Sequence, residues 1–325
     1  MPLLRFSALS AWAYSCTASA ALVSLEFVTV GDPGNAGSPG GGPGAVAETF
    51  AMGKYEVTNA QYVEFLKSAA VVDPHGLFNP SMHADPLGGI LRGGIAAPFS
   101  YSVKAGYENK PVVFVSALDG ARFVNWLQNG QGAGDTEHGV YDLATFGSSA
   151  PQAPGATFWI PTQNEWFKAA YFQPWVMGGD VDDYWSFPTR SNASPLATGP
   201  NPANPNSANY AAAAPTPGNP SGINYLTDVG SYQLARSYYG TFDQGGNVWE
   251  PQWIGGTSSK WVAGGGFNNG DYQMRSDGAT YSGGAGTEQG DTGFRVATIP
   301  EPGAAAWVLI VGALALHGRC ARAAG

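Results

Sequence analysis

Three stretches of the chain place hydrophobic residues at the i, i+3, i+4, i+7 spacing of one helix face. Each stretch begins with Ser or Thr followed three residues later by Gln, Asp or Glu, which is the pattern of a capping box. The capping pairs are Thr58 with Gln61, Ser116 with Asp119, and Thr162 with Glu165. The apolar positions behind them are Tyr62, Phe65, Leu66 and Ala69, then Ala121, Val124 and Leu127, then Trp166, Ala169 and Ala170. The sequence therefore predicts three short amphipathic helices, the last ending before Pro174.

Short runs of β-branched and aromatic residues, separated by glycine and proline turns, predict strands. They cover residues 23–30, 112–115, 157–160, 247–253, 261–263 and 293–297. Residues 192–224 are rich in Asn, Pro, Ala and Ser, a composition typical of a long surface loop. Together these patterns predict an α+β protein with little regular secondary structure.

Composition narrows the class of protein. The chain has 325 residues, which suits one large or two ordinary domains, and its 46 Gly and 24 Pro favour a loop-rich fold. Only 12% of residues are charged, and 15 Lys and Arg against 24 Asp and Glu give a net charge of −9. Because no basic run is present to neutralise phosphates, nucleic acid is not an expected partner.

Both ends have the pattern of targeting segments. An apolar stretch after Arg5 ends in Ala18-Ser19-Ala20, a signal-peptide cleavage pattern, so we expect residues 1–20 to be a signal peptide. Near the other end, Pro300-Glu301-Pro302 precedes an apolar segment at 304–316 and then Arg319 and Arg322. The apolar segment is shorter than the roughly 20 residues that span a bilayer, so it predicts only transient membrane contact. We assign residues 298–325 to a tail and residues 21–297 to the folded domain.

The order of features in the tail resembles the PEP-CTERM sorting signal. That resemblance implies export to the cell envelope or the exterior, with a processing protease, the exosortase, as a partner of the tail. The alternative interpretations are a buried first strand at the start of the chain and a buried helix at its end.

The two cysteines, Cys16 and Cys320, lie in these terminal segments. The domain at 21–297 therefore has no cysteine. This excludes disulfides, thiolate metal sites and cysteine nucleophiles from the domain.

Five ordered motifs resemble the sulfatase-modifying factor family, which includes the formylglycine-generating enzymes. They are Met52 to Tyr62, Pro161 to Ala170 with its Glu165-Trp166 pair, Phe242 to Glu250, Gly264 to Phe267, and Gly293 to Ala297. The resemblance runs from about Leu25 to Ala297. It implies a single α+β domain related to the C-type lectin fold, often stabilised by calcium.

The residues that the oxidising members of this family need are replaced. Those members bind copper through two cysteines just after the stretch that matches Gly264 to Phe267, and Asn269 and Met274 stand at these two positions. An amide cannot form a thiolate ligand, and a lone thioether is a weak ligand without thiol exchange. The resemblance therefore implies a fold without formylglycine-generating activity, and we do not expect copper.

Other relatives carry iron on histidines, which keeps a metal-dependent oxidoreductase open as the alternative function. Outside the tail the histidines are His75, His83 and His138, and no His-x-x-x-His pattern occurs. Exposed or locally hydrogen-bonded loop histidines are the simpler interpretation.

Calcium is the predicted cofactor. Asp243, the backbone of Gly246 and Val248, and Glu250 place hard oxygens around a tight glycine turn, and the family resemblance implies calcium at this motif. These carboxylates can also be an ordinary turn residue and an ordinary strand residue. The resemblance implies a second site at Asn209 and the carbonyl of Tyr210, although no Asp follows at 218–222 to complete it.

The ten tryptophans leave two uses open. Trp175, Trp185, Trp253 and Trp261 are candidate platforms for stacking a carbohydrate, whereas Trp166 and Trp249, inside the motifs, are expected in the core. The favoured hypothesis is an exported, non-catalytic domain that binds calcium and a partner at the cell surface or in an exopolysaccharide.

Overall fold

The computed structural model describes residues 22–145, 153–201, 203–212, 225–252, 259–278 and 281–300. The predicted signal peptide at 1–20 and the tail from residue 301 onward lie outside the described residues. The predicted domain boundaries therefore stay predictions.

Regular secondary structure is sparse in the described residues, as the sequence predicts. The helices are α1 (Asn59–Ala69), α2 (Ser81–Ala84), α3 (Ala117–Gln128) and α4 (Gln163–Tyr171). The strands are β1 (Phe27–Val30), β2 (Phe50–Gly53), β3 (Ile90–Gly93), β4 (Ser100–Val103), β5 (Phe158–Trp159), β6 (Leu196–Ala197), β7 (Ser207–Ala208), β8 (Glu250–Gln252), β9 (Ser259–Ala263), β10 (Tyr281–Gly284) and β11 (Ala297–Thr298). Two 3₁₀ turns, Trp175–Met177 and Asp271–Met274, complete the set.

All three predicted capping boxes are confirmed. In α1 the backbone N–H of Thr58 donates to the Gln61 amide oxygen at 2.9 Å, while the Thr58 hydroxyl accepts from the Gln61 N–H at 3.3 Å. Ser116 with Asp119 and Thr162 with Glu165 make the same reciprocal bonds. These bonds satisfy backbone donors that a helix start leaves free, so α1, α3 and α4 begin where the local sequence sets them.

Two small antiparallel sheets organise the strands. The larger has the order β1-β2-β11-β5, with Ala297 opposite both Met52 and Trp159. The smaller has the order β10-β9-β8, with Glu250 opposite Ala263. Strands β3 and β4 form an antiparallel pair, and β6 and β7 form a short parallel one.

The main core lies between the four-stranded sheet and helices α1 and α3. Five aromatic side chains meet at its centre, and all are at most 3% exposed: Tyr62, Phe65, Phe123, Trp126 and Phe294. The Phe65 and Phe123 rings meet edge to face with centroids 5.4 Å apart. Edge-to-face contacts of this kind add to the free energy of burial.

The structure corrects two predicted strands. Of residues 293–297, only Ala297 lies in a strand, as the first residue of β11. Residues 112–115 do not form a strand, because Phe114 has a positive φ of 61° that interrupts the extended backbone. Val112, Val113 and Val115 are nevertheless buried, so their hydrophobic pattern reports core contact without sheet pairing. The predicted loop at 192–224 contains β6 and β7, and its residues 202 and 213–224 lie outside the described residues.

No helix among the described residues is both long and apolar enough to cross a membrane.

Candidate functional site

The turn that leads into β8 brings the two predicted metal sites together. Asp243 and Asn247 have positive φ angles of 59° and 61°, and Gly246 between them has φ of 88°. A side chain at Gly246 would collide with the backbone carbonyl of Asn209, so glycine is required there by contact as well as by conformation. The Asn247 N–H donates to that same carbonyl at 2.8 Å.

Asp243 faces the loop at 230. Its carboxylate accepts from the Gly230 N–H at 2.6 Å. Burial raises the pKa of Asp243 to about 6, and the nearby Glu250 carboxylate adds to the rise, while the Gly230 bond and Arg295 oppose it. Val248, also predicted at this site through its backbone, has a side chain that is 0% exposed against Val113, Leu226 and Phe267.

Glu250 is fully buried in an ion pair. Its two carboxylate oxygens accept from the Arg295 guanidinium at 2.5 Å each, and both side chains are 0% exposed. The Trp166 indole N–H donates to Glu250 at 2.7 Å. Arg295 also donates to the carbonyls of Gly53 and Phe242, at 2.9 Å each. This pair ties β8 and the approach to β11 to the end of β2.

A third carboxylate lies in the same buried region without a cation of its own. Glu56 is 1% exposed; one of its oxygens accepts from the Asn247 side chain at 3.0 Å, and the other has no hydrogen-bond partner. Burial, followed by the Asp243 charge, holds the pKa of Glu56 well above its usual range. Sequence analysis placed Glu56 and Arg295 in family motifs but gave them no role.

Asn209 also has an unpartnered atom. Its side-chain N–H groups donate to the Tyr225 carbonyl at 2.7 Å and to the Asn247 amide oxygen at 3.1 Å, which fixes the orientation of the amide. Its own amide oxygen is buried and has no hydrogen-bond partner. The neighbouring Tyr210 donates its hydroxyl to the Pro195 carbonyl at 2.6 Å.

The predicted calcium ligands fit a cation unequally. Asn209 offers a free amide oxygen and Asp243 a partly buried carboxylate, both hard oxygen donors. Glu250 does not fit as it stands, because both its oxygens already accept from a guanidinium. Within the described residues no three His, Cys, Asp or Glu side chains form a group that could hold a metal. A cation here would therefore depend on amide and backbone oxygens as well, and calcium at these residues stays a prediction.

Asn269 and Met274, which stand where the resemblance places the family's two cysteines, both make contacts within the protein. Asn269 accepts the Gly266 N–H on its side-chain oxygen at 2.7 Å. Met274 is 1% exposed and packs with Phe187 and Ala208.

A pocket of about 210 Å³ lies beside this loop, between α4 and β8. Its apolar side is formed by the aromatic residues Trp166, Phe167 and Tyr171. Its polar side chains are Gln163, Gln252, Gln273, Arg275, Ser276 and Asp277. Gln252 is 5% exposed, and its amide oxygen has no hydrogen-bond partner.

A groove of about 500 Å³ lies at the four-stranded sheet and is chemically different. Its lining side chains are aliphatic or aromatic apart from threonines: Leu25, Phe27, Thr29, Ala51, Leu127, Phe158, Thr298 and Ile299. Because it offers few groups that could fix a polar ligand, the pocket at Gln252 is the better candidate for specific recognition.

The tryptophans divide between core and surface. Trp166 and Trp249 are 0% and 5% exposed, which confirms their predicted place in the core. Trp175 is 63% exposed in the 3₁₀ turn Trp175–Met177, while Trp185 and Trp261 are partly buried. Trp253 lies outside the described residues.

No curated protein matches this chain. The solved structures that are similar to it include three with the following titles. "Crystal Structure of CarF" has 19% identity and a TM-score of 0.47 over 86% of this chain and 99% of that one. "Treponema denticola variable protein 1" has 15% identity and a TM-score of 0.46 over 87% and 98%. "Structure of PvdO from Pseudomonas aeruginosa" has 19% identity and a TM-score of 0.44 over 85% and 92%.

The family comparison covers most of the chain. The model of the sulfatase-modifying factor enzyme 1-like domain matches residues 43–299, a range that includes the Asp243 turn, the Glu250 ion pair and the pocket at Gln252. The chain belongs to this family and has its C-type-lectin-like α+β fold, with little regular secondary structure.

Proposed function

We propose that this protein is an exported, non-catalytic member of the family that binds calcium and a partner at the cell surface or in an exopolysaccharide. The observation that carries the proposal is the replacement of both cysteines by Asn269 and Met274, whose side chains are committed to internal contacts. Without a thiol pair the domain has no thiolate ligands for copper(I) and no thiol to exchange with a substrate cysteine. What remains is a folded domain with a partly polar pocket.

Calcium is supported by a cluster of three carboxyl groups and by an amide oxygen without a hydrogen-bond partner. Glu56, Asp243 and Glu250 influence one another electrostatically, and Arg295 is the cation that acts on all three. The free amide oxygen of Asn209 lies on a side chain bonded to Asn247, which in turn bonds Glu56. A buried acceptor without a donor costs free energy, which a bound cation or water recovers. Calcium bound here would be structural, neutralising charge around the turn at 243–247.

A peptide-conversion assay tests the absence of catalysis. The exported protein is incubated with copper and a peptide carrying a sulfatase-type cysteine, beside a formylglycine-generating enzyme as positive control. We expect the control to produce aldehyde and this protein to produce none. Aldehyde formation by this protein would overturn the proposal.

Elemental analysis tests the alternative, a metal-dependent oxidoreductase. We expect the purified exported protein to contain calcium and no stoichiometric copper or iron. About one equivalent of a redox metal per chain would favour the alternative. Co-sedimentation with extracellular polysaccharide of the source cells tests the partner, and no binding with calcium present would contradict it.

A further inference from the structure

We propose that the pocket between α4 and β8 binds one neutral sugar unit of a polysaccharide, through the amide of Gln252. This inference rests on the proposed function and adds the site and the class of ligand. None of the six residues predicted to hold calcium lines the pocket.

Gln252 is the reason to expect a ligand at this place. Its side chain is nearly buried, it lines the pocket, and its amide oxygen has no hydrogen-bond partner. Native proteins pair most buried polar atoms, so an orphan acceptor on a residue that lines a pocket indicates a missing donor. A hydroxyl or an N–H of a ligand supplies that donor.

The walls of the pocket combine aromatic residues, each at most 7% exposed, with uncharged polar groups. Trp166, Phe167 and Tyr171 provide the apolar side, and the other two amides, Gln163 and Gln273, can donate and accept hydrogen bonds. A sugar ring presents an apolar face of C–H groups and a rim of hydroxyls. Its two kinds of surface therefore match the two kinds of wall.

Charge at the pocket favours a neutral ligand. Arg275 and Asp277 are the charged residues among the described lining residues, and they bind each other through two bonds of 2.6 and 2.7 Å. Because the pair cancels its own charge, neither an anion nor a cation finds an unpaired partner there. The volume of about 210 Å³ lies below the range of 300 to 1,000 Å³ typical of drug-sized ligands, which favours a single ring over a longer segment.

Ligand-observed NMR on the full-length protein tests the site with defined probes. The probes are the methyl glycosides of glucose, galactose and mannose, together with N-acetylglucosamine, and glucuronate and glucosamine serve as charged counterparts. We expect at least one neutral probe to bind with a millimolar dissociation constant and to be preferred over its charged counterpart. Absence of binding by every neutral probe, or a preference for a charged one, overturns the inference.

A pair of variants locates the binding. Gln252→Met keeps the size of the side chain but removes the acceptor, and we expect affinity for the neutral probe to fall at least tenfold. Gln289→Met makes the same change at an exposed residue outside the pocket and should leave affinity unchanged. Equal binding by Gln252→Met and the wild type overturns the inference. If Gln252→Met still sediments with the polysaccharide, the assignment of the pocket fails while the proposed function stands. Aldehyde formation in the peptide assay would instead contradict the proposed function and leave the measured sugar binding unaffected.

Discussion

Glu250 and Gln252 lie two residues apart on β8, so their side chains leave the strand on the same face. Both are buried, at 0% and 5% exposure. Glu250 receives hydrogen bonds from Arg295 on both oxygens and a third from Trp166, whereas the amide oxygen of Gln252 receives none. Trp166 contacts both regions, since its indole N–H reaches Glu250 and it also lines the pocket at Gln252.

This difference in hydrogen bonding assigns different roles to two residues of β8: Glu250 contributes to stability, and Gln252 is the candidate for binding. A buried charge with both oxygens engaged holds distant segments together, and removing a partner leaves that charge uncompensated in the low dielectric of the core. A buried amide with a free acceptor contributes little to stability, and its oxygen lacks the donor that a ligand would supply. We therefore expect variants at the first position to change unfolding and variants at the second to change binding.

The largest expected effect is at Arg295. Replacing Arg295 with Met should destabilise the protein by about 3 to 5 kcal/mol, because Glu250 would be left as an uncompensated buried charge. Urea unfolding of the variant measures this loss. Arg275→Met is the matched control, since its partner Asp277 is exposed and surface pairs contribute about 0 to 1 kcal/mol. Equal losses in the two variants would contradict the structural role of Glu250.

Calcium gives the next largest effect, and it concerns the turn immediately before Glu250. If calcium binds only the folded protein, free calcium at 100 times its dissociation constant adds about 2.7 kcal/mol to the free energy of unfolding. Chelation should lower the melting temperature accordingly. Asp243→Ala should abolish most of this shift, while Glu48→Ala, at an exposed carboxylate, should retain it. A melting temperature that does not respond to calcium would make the Asp243 turn purely structural.

Trp166→Phe tests the comparison between Glu250 and Gln252 further, because Trp166 contacts Glu250 and also lines the pocket at Gln252. The variant removes the N–H that reaches Glu250 and should cost about 1 to 3 kcal/mol for the lost bond to a buried charge. Trp159→Phe deletes the same atoms where the indole N–H reaches Glu165, so it matches the change in volume. A smaller loss for Trp166→Phe than for Trp159→Phe would show that Glu250 does not depend on the third donor.

Gln252→Met should have the smallest effect on stability. Replacing a buried amide that has an orphan oxygen by an apolar chain of similar length should leave the free energy of unfolding within about 1 kcal/mol, or raise it. Urea unfolding without ligand checks this result. A loss of several kcal/mol would mean that Gln252 has a structural partner, and the contrast with Glu250 would disappear.

The starts of the helices could be predicted from the sequence, but the pairing of the strands could not. The capping boxes at Thr58, Ser116 and Thr162 act within four residues, so each helix start is encoded where it occurs. Strand β2 was missed because Phe50–Gly53 is too short to show an alternation, and it exists through pairing with β1 and β11. The segment at 112–115 has the composition of a strand, but the backbone turns at Phe114.

The candidate site shows the same limit. The glycine turn at 245–246 was predicted from its residues, and the positive φ angles at Asp243 and Asn247 agree with a tight turn there. The partner of Glu250, however, is 45 residues away at Arg295, and no spacing in the sequence specifies that pairing. A charged residue flanked by buried apolar neighbours, as in Phe294-Arg295-Val296, was the available signal.

The burial of Met274 limits how easily the two-cysteine site of the family could be restored by engineering. Converting Asn269 and Met274 back to cysteines would recreate the thiols in the sequence, but the one at 274 would stand inside the cluster of Phe187 and Ala208, with a smaller side chain than the space requires. The one at 269 would leave the Gly266 N–H without its acceptor. Reversal would thus require the loop from 264 to 274 to be repacked as a unit, so substitutions in its surroundings would have to precede the two cysteines.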